Sequence, residues 1–327
     1  MSLLVLKSGL LDSVQDLGRH GLAHLGIHAA GVADPVALRV ANALVGNVPE
    51  TAGIEMHFPA PQLRFEQAVV FALGGADFGA RLDGRDVPVG SPVRAGAGSE
   101  LVFRRYNRGM RVYLCVQGGF ALEPWLGSCS TDLLAGVGGW QGRALLAGDK
   151  LPFRQNMLEP QSGSQFFLWR ANTSGLYPRE AVYRFLPGPE HHLLDPLSCQ
   201  VLENAEWCMG RRSNRMACAV DGPPLLLREK YELVSSAVQP GTVQLLPGGA
   251  ILILLADSQT TGGYPRVAQV AEADLPGLAQ QRPGAVFRLR KAEREEVLES
   301  GREHRRALRR LEWGALFKTS DFASASP

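Results

Sequence analysis

Ala250-Ile251-Leu252-Ile253-Leu254-Leu255 runs directly into Ala256-Asp257-Ser258-Gln259-Thr260-Thr261-Gly262-Gly263-Tyr264-Pro265. The first part is short and aliphatic throughout, the pattern of a buried strand. A carboxylate, an amide, hydroxyls, two glycines and a phenol follow before Pro265 fixes the exit. An ordinary turn needs glycine and aspartate, but not Gln259, Thr260, Thr261 and Tyr264 as well. Gly262 and Gly263 are expected to bring backbone close to a ligand and to adopt positive φ. Two readings are open: a hairpin turn capped by Asp257, or a polar site mounted at the end of a buried strand. In the second, Asp257 is the candidate general base, because desolvation at the top of an apolar strand would make it more basic. Replacing it with asparagine should then remove activity at little cost in stability.

The rest of the chain carries the same punctuation. Among its 37 glycines and 21 prolines lie short apolar runs at 69–73, 101–104, 111–116, 166–169, 181–186, 242–246 and 251–255. Their length and their β-branched and aromatic content predict strands. Two helices interrupt them. Asp34 caps the first and Pro35 opens it; it runs to about Leu44 and stops near Gly46-Asn47. The second spans residues 292–311, within a stretch (291–313) of seven basic and six acidic residues that suits a solvated helix face. The expected fold class is therefore mainly β, with few short helices and a helix at the C-terminal end.

With 327 residues, 45% of them hydrophobic, the chain can bury a sizeable core, and its length favours two domains. Polar, turn-rich residues 154–164 predict the boundary, with a second soft stretch at 171–178. A formal charge of +2 gives no electrostatic case for nucleic acid or an anionic membrane. Five cysteines without a C-x-x-C pair argue against a disulfide framework and a thiolate metal site, and for a reducing cytoplasm. The apolar start, Met1 to Leu6, is too short for a signal segment, and no apolar run is long enough to span a bilayer. No P-loop, no dinucleotide-binding G-x-G-x-x-G, no Met-Lys-Met biotin site, no G-x-S-x-G and no H-E-x-x-H occurs. His20, His24 and His28 have the spacing of metal ligands. Gly21 and Gly26 work against a helix there, and no carboxylate or thiolate joins them, so no metal site is expected. His191-His192 lies in a loop without a partner pattern.

Residues 257–265 resemble the D-x-Q-T-T-G-G-Y-P signature of a bacterial family known as allophanate hydrolase subunit 2, biotin-dependent carboxyltransferase-like protein or the C subunit of 5-oxoprolinase. Other blocks agree. Asp12-Ser13-Val14-Gln15-Asp16-Leu17-Gly18-Arg19-His20-Gly21 is similar to T-V-Q-D-x-G-R-x-G, with Ser13 in place of Thr, and residues 38–47 to L-x-x-A-N-x-L-V-G-N. Gly127-Ser128-Cys129-Ser130-Thr131-Asp132 matches G-S-x-S-T-D; Leu186-Pro187-Gly188-Pro189 and Ser213-Asn214-Arg215-Met216 complete the set. The resemblance implies two cyclophilin-like β-barrel domains, 1–160 and 161–290, and a charged helical tail, 291–327. It also implies the C subunit of a multi-subunit, ATP-dependent 5-oxoprolinase that opens the lactam of 5-oxoproline to glutamate. The implied partners are the A subunit of 5-oxoprolinase and an allophanate-hydrolase-subunit-1-like protein (its B subunit), with a small amide or lactam as substrate. ATP would act in the complex, and this chain alone would bind no cofactor. One alternative is the carboxyltransferase half of a biotin-dependent urea or amide carboxylase, with biotin on a separate protein. Another is a non-catalytic regulator that binds an inhibitor of a sensor kinase.

Three polar clusters supply the candidate residues. Asp257, Gln259 and Arg215 are the catalytic candidates. Gln15, Asp16, Arg19, Asn42, Ser213, Thr260, Thr261, Gly262, Gly263 and Tyr264 are the substrate-binding ones. Arg19 or Arg215 could hold a carboxylate bidentately, but an internal Asp16–Arg19 pair that only pins a loop is equally open. The chain departs from the family's S-D-R-M-G at Asn214 and Ala217. If the family's acid does chemistry, activity is in doubt; if it caps a turn, Asn214 substitutes well. The first and last clusters are expected to line one polar cleft at a domain junction.

Overall fold

Strand Ile251–Leu254 pairs on one side with Thr242–Leu245 and on the other with Ala217–Asp221, deep in a closed seven-strand barrel. The computed structural model describes residues 2–154, 163–229 and 231–319. Around the barrel the order is Val182–Pro187, Arg266–Val270, Thr242–Leu245, Ile251–Leu254, Ala217–Asp221, Glu206–Met209 and Val286–Lys291. Every neighbouring pair is antiparallel except the closing one, where Val182–Pro187 runs parallel to Val286–Lys291. Closure leaves no strand edge open in the ring. The last strand shows the period of two: Phe287 and Leu289 are buried, Val286, Arg288 and Arg290 exposed. Phe185, Trp207, Ile251, Ile253 and Val267 fill the interior with them. Each such side chain contributes roughly 1.5–3 kcal/mol on burial.

The other half of the chain builds two six-stranded sheets on one core. The first sheet runs Lys150–Pro152, Ser2–Lys7, Gln62–Phe65, Glu100–Phe103, Ala80–Leu82, Arg85–Asp86. The second runs Gln165–Phe166, Pro92–Ala95, Val69–Asp77, Arg108–Val116, Gly53–His57, Asp12–Gln15. Leu3, Phe65 and Leu101 from one meet Phe71, Ile54 and Leu114 from the other, with Phe65 and Phe71 stacked at 4.9 Å. Helix Pro35–Leu44 lies against strands Val69–Asp77 and Arg108–Val116. Asp34 caps it as expected, its carboxylate accepting from Ala37 N at 3.0 Å. Gly74 permits that approach, since a Cβ there would sit 2.2 Å from the Ala37 carbonyl oxygen.

The two compact units are interleaved along the chain. One comprises Met1–Arg19, Asp34–Ser174 and Ala307–Pro327; the other comprises His20–Ala33 and Gly175–Arg306. Consecutive blocks divided at 160 and 290 describe neither. Segment 20–33 forms no strand, only a short 3-10 turn at Ala23–Leu25, so it offers no period by which the sequence could assign it to either unit. Residues 155–162 of the expected boundary lie outside the described residues.

Other differences are local. The strand expected at 166–169 is only Gln165–Phe166, and the final helix extends over Arg294–Thr319. Helix Pro196–Asn204 has no counterpart among the expected elements, although Asp195-Pro196 repeats the Asp34-Pro35 signal: Asp195 accepts from Leu197 N and Ser198 N. With only Ser198 and Leu202 buried, its apolar face is too narrow to give a helical period. Among the described residues no helix is long and apolar enough to cross a membrane.

Candidate active site

The ladder between Ala217–Asp221 and Ile251–Leu254 continues past its named ends: Leu255 N donates to Met216 O at 2.8 Å and Asp257 N to Arg215 O at 3.0 Å. The last of these bonds is one residue out of the ladder's register, in which Ala217 faces Leu254, and this irregularity brings Asp257 beside Arg215. The guanidinium grips the carboxylate bidentately, with Nε to Oδ2 and Nη2 to Oδ1 both at 2.8 Å. The two side chains are only 4% and 10% exposed, so this pair is largely withdrawn from water. Arg215 Nη2 also donates to the carbonyl of Gly31, which ties segment 20–33 to the barrel. Asp257, the candidate general base, is thus half of an ion pair just beyond the end of its barrel strand.

Beyond Asp257 the chain turns outward. Ser258 is buried, whereas Gln259, Thr261, Gly263 and Tyr264 are exposed. Thr261–Gly262 pairs with Ser236–Ala237 in a two-stranded ribbon, and Val238 N donates to Thr260 O at 3.0 Å. The glycines differ from expectation: neither Gly262 nor Gly263 adopts positive φ. Gly262 leaves room for the buried Gln244: a Cβ would lie 2.4 Å from its Nε2, so a larger residue would have to displace that amide. What the segment presents is one amide, one hydroxyl and one phenol on a hydrogen-bonded ribbon, beside a buried ion pair.

Asn214 settles into a role of its own. Its Oδ1 accepts from Met216 N at 2.8 Å and Ala217 N at 3.1 Å, the hydrogen bonding of an Asx turn, which an aspartate makes equally well. Ser213 is consumed nearby, its hydroxyl donating to Gly210 O at 2.8 Å and accepting from Ala219 N at 3.1 Å.

Gln15, Asp16 and Arg19 belong to the other unit. Asp16 is buried, and its Oδ1 accepts from Ser128 Oγ and Ser130 Oγ at 2.6 Å and from Gly18 N at 2.8 Å. Its Oδ2 accepts from Cys129 N at 2.6 Å. Arg19, 2% exposed, donates to Ser130 O and lies 4.8 Å from the Trp125 ring centroid. Gln15 Nε2 donates to Ser13 Oγ at 3.0 Å and Thr131 O at 3.2 Å. All three therefore organise the 127–132 loop. The Gly-Ser-x-Ser-Thr-Asp block is visible in the sequence, but nothing there pairs it with Asp16. Asn42, fully buried, staples the end of its helix: Nδ2 donates to Thr51 O at 2.7 Å, and Oδ1 accepts from Asn47 Nδ2 at 3.0 Å.

Two buried polar groups were not among the candidate site residues, although one of them, Asp12, opens the block at 12–21. Tyr113 OH donates to Glu55 Oε2 at 2.8 Å and accepts from Asp34 N at 2.9 Å. Burial first, and the Glu55 carboxylate next, hold its phenol well above the usual range. Asp12, 1% exposed, accepts from Gly9 N at 2.6 Å through one oxygen, while the other has no partner among the described residues. Burial raises its carboxyl to about 7, against the lowering effect of the Gly9 hydrogen bond. Both sit within strands, where alternation marks a face and not its partners. Among the described residues no group of three His, Cys, Asp or Glu side chains could hold a metal.

Comparison with known proteins gives these arrangements a setting. Residues 25–291 match the carboxyltransferase domain, subdomain A and B. The chain is 38% identical over 314 residues to the C subunit of 5-oxoprolinase from Escherichia coli K12, covering 95% of this chain and 98% of that protein. It is 39% identical over 276 residues to the C subunit of 5-oxoprolinase from Haemophilus influenzae, covering 84% and 86%. Among solved structures, the urea amidolyase of K. lactis superposes with a TM-score of 0.87 at 25% identity, over 96% of this chain but 20% of that one.

Proposed function

The chain belongs to the carboxyltransferase domain, subdomain A and B, family, and from that premise we propose that it is the C subunit of an ATP-dependent 5-oxoprolinase. The reading is supported by 38% identity along nearly the whole length of the E. coli protein of that name. In this assembly the A subunit and an allophanate-hydrolase-subunit-1-like B subunit supply the rest of the machinery, and the substrate is the lactam 5-oxoproline. The observation that carries the site is the Arg215–Asp257 ion pair, withdrawn from water and flanked by the exposed Gln259, Thr261 and Tyr264. Arg215 and Asp257 act as one unit that fixes the strand end. The exposed side chains beyond it meet the substrate's amide, whose carbonyl accepts and whose N–H donates. Such positioning lowers a barrier by holding groups in reacting geometry.

A lactam is an unreactive amide, so its opening needs phosphoryl or carboxyl activation before water attacks. ATP is bound by the partner proteins in this reading; the chain carries no P-loop. Five free thiols fit a cytoplasmic setting. The similarity to the urea amidolyase structure favours a second reading, carboxyl transfer to an amide from biotin carried on another protein.

One experiment tests the assignment. Purified alone, the chain should show no ATP-dependent turnover of 5-oxoproline; mixed with the chains that co-purify with it, it should. Turnover by the single chain, or a reconstituted complex that consumes urea and bicarbonate but not 5-oxoproline, would reject it.

A further inference from the structure

A groove of about 520 Å3 opens on the unit built from the two sheets, and four arginines line it: Arg81, Arg104, Arg105 and Arg170. Its two acids are unequally available. Asp86 takes the Arg81 guanidinium at 2.7 Å, whereas Asp77 accepts from Gly79 N at 2.9 Å. Arg104, Arg105 and Arg170 form no ion pair among the described residues, so the groove holds an excess of positive charge.

Backbone hydrogen bonds position these arginines. Arg104 N and Arg105 N donate to Phe78 O at 3.2 Å, just after strand Glu100–Phe103 ends. The Arg105 side chain lies across Gly79, where a Cβ would be 2.9 Å from its Cγ. Arg170 lies over Gly90 and is anchored next door by Ala171 N donating to Gly90 O at 2.8 Å. Val87 and Val89 complete an apolar floor.

We propose that this groove binds a small phosphate-bearing ligand, its phosphoryl group held by Arg104, Arg105 and Arg170 and its organic part lying on Val87 and Val89. A terminal phosphate carries close to two charges and three acceptor oxygens, which suits several guanidinium forks better than a single carboxylate does. The volume lies within the range of small-molecule sites. The groove shares no lining residue with the Asp257 cluster and requires none of the proposed lactam chemistry.

Isothermal titration of the full chain in low salt with pyrophosphate and with adenosine monophosphate decides the matter. Saturable one-site binding of either is expected, weakened at least about tenfold in Arg105→Ala and in Arg170→Ala. Arg105→Lys should recover part of the loss, and Arg309→Ala, on the C-terminal helix, should match the parent. The arginines are exposed, so melting temperatures should agree across the set. The proposal fails if neither phosphate saturates, or if the alanine variants bind like the parent. It fails equally if glutarate or a hexaglutamate peptide binds more tightly than both phosphates, which would give the groove to a dicarboxylate or to an acidic segment of another chain.

Discussion

Arg215 and Asp257, 42 residues apart in sequence, face each other across the end of one β ladder and share two hydrogen bonds of 2.8 Å. Residues 213–216 and 257–265 are thereby two sides of one feature. The same guanidinium reaches the carbonyl of Gly31, so one side chain joins three separate stretches of the chain.

This pair reverses the expectation that Asp257 could be changed at little cost. Removing one member of a largely buried ion pair leaves an uncompensated charge, at roughly 3–5 kcal/mol. Asp257→Ala should therefore lower the urea midpoint clearly, and Asp257→Asn by less. In a double-mutant cycle with Arg215→Gln, the two losses should sum to more than the double variant shows. Additive losses would mean that the pair is not coupled.

Asn214→Asp should be nearly silent. The carboxylate accepts from Met216 N and Ala217 N as the amide oxygen does, so stability should change by less than about 0.5 kcal/mol. Activity of the reconstituted complex should also be unchanged. A large gain in turnover would show that the family's acid works on substrate and does more than shape the turn.

Asp16→Ala should loosen the 127–132 loop. Four donors from Gly18, Ser128, Cys129 and Ser130 lose their acceptor, at a cost of about 3 kcal/mol or more. Hydrogen exchange should accelerate at Cys129 and its neighbours while barrel strand Ile251–Leu254 keeps its protection. Unchanged exchange at Cys129 would contradict the clamp.

Asp12 predicts a pH effect of definite sign. Its carboxyl lies at about 7 in the folded chain against 3.8 as the ordinary value, because burial penalises its charged form. The folded state therefore binds the proton more tightly than the unfolded state does. Asp12 thus lowers stability progressively as pH rises from about 4 to about 7, with no further loss above that. The full effect is on the order of 4 kcal/mol. Asp12→Asn should flatten the parent's loss across that window and melt higher than the parent at pH 8. A parallel pair of stability curves would rule this out.

Much of the fold could be read locally. Asp34-Pro35 starts a helix because a carboxylate satisfies free N–H groups and proline sacrifices none that are needed. Short apolar runs between glycines become strands because alternate side chains point to opposite faces, and nearly all those expected are present, from Val69–Asp77 to Ile251–Leu254. The polar blocks at 12–21, 127–132, 213–216 and 257–265 were also conspicuous as residue types.

What each block does was not. Asp16 could have faced substrate, Arg19 or a loop; only the packed chain brings Ser128 and Ser130 within 2.6 Å of it. Asp257 could be read as a turn cap or a general base until the fold set Arg215 beside it. Segment 20–33 belongs to the barrel unit, and the Arg215 hydrogen bond to the Gly31 carbonyl within it follows from no local pattern. Patterns of period two or 3.6 record which way a side chain points relative to its own backbone. Partners across a sheet or loop are selected by long-range register and by the need to satisfy buried polar groups. Those conditions exist only once the chain has folded.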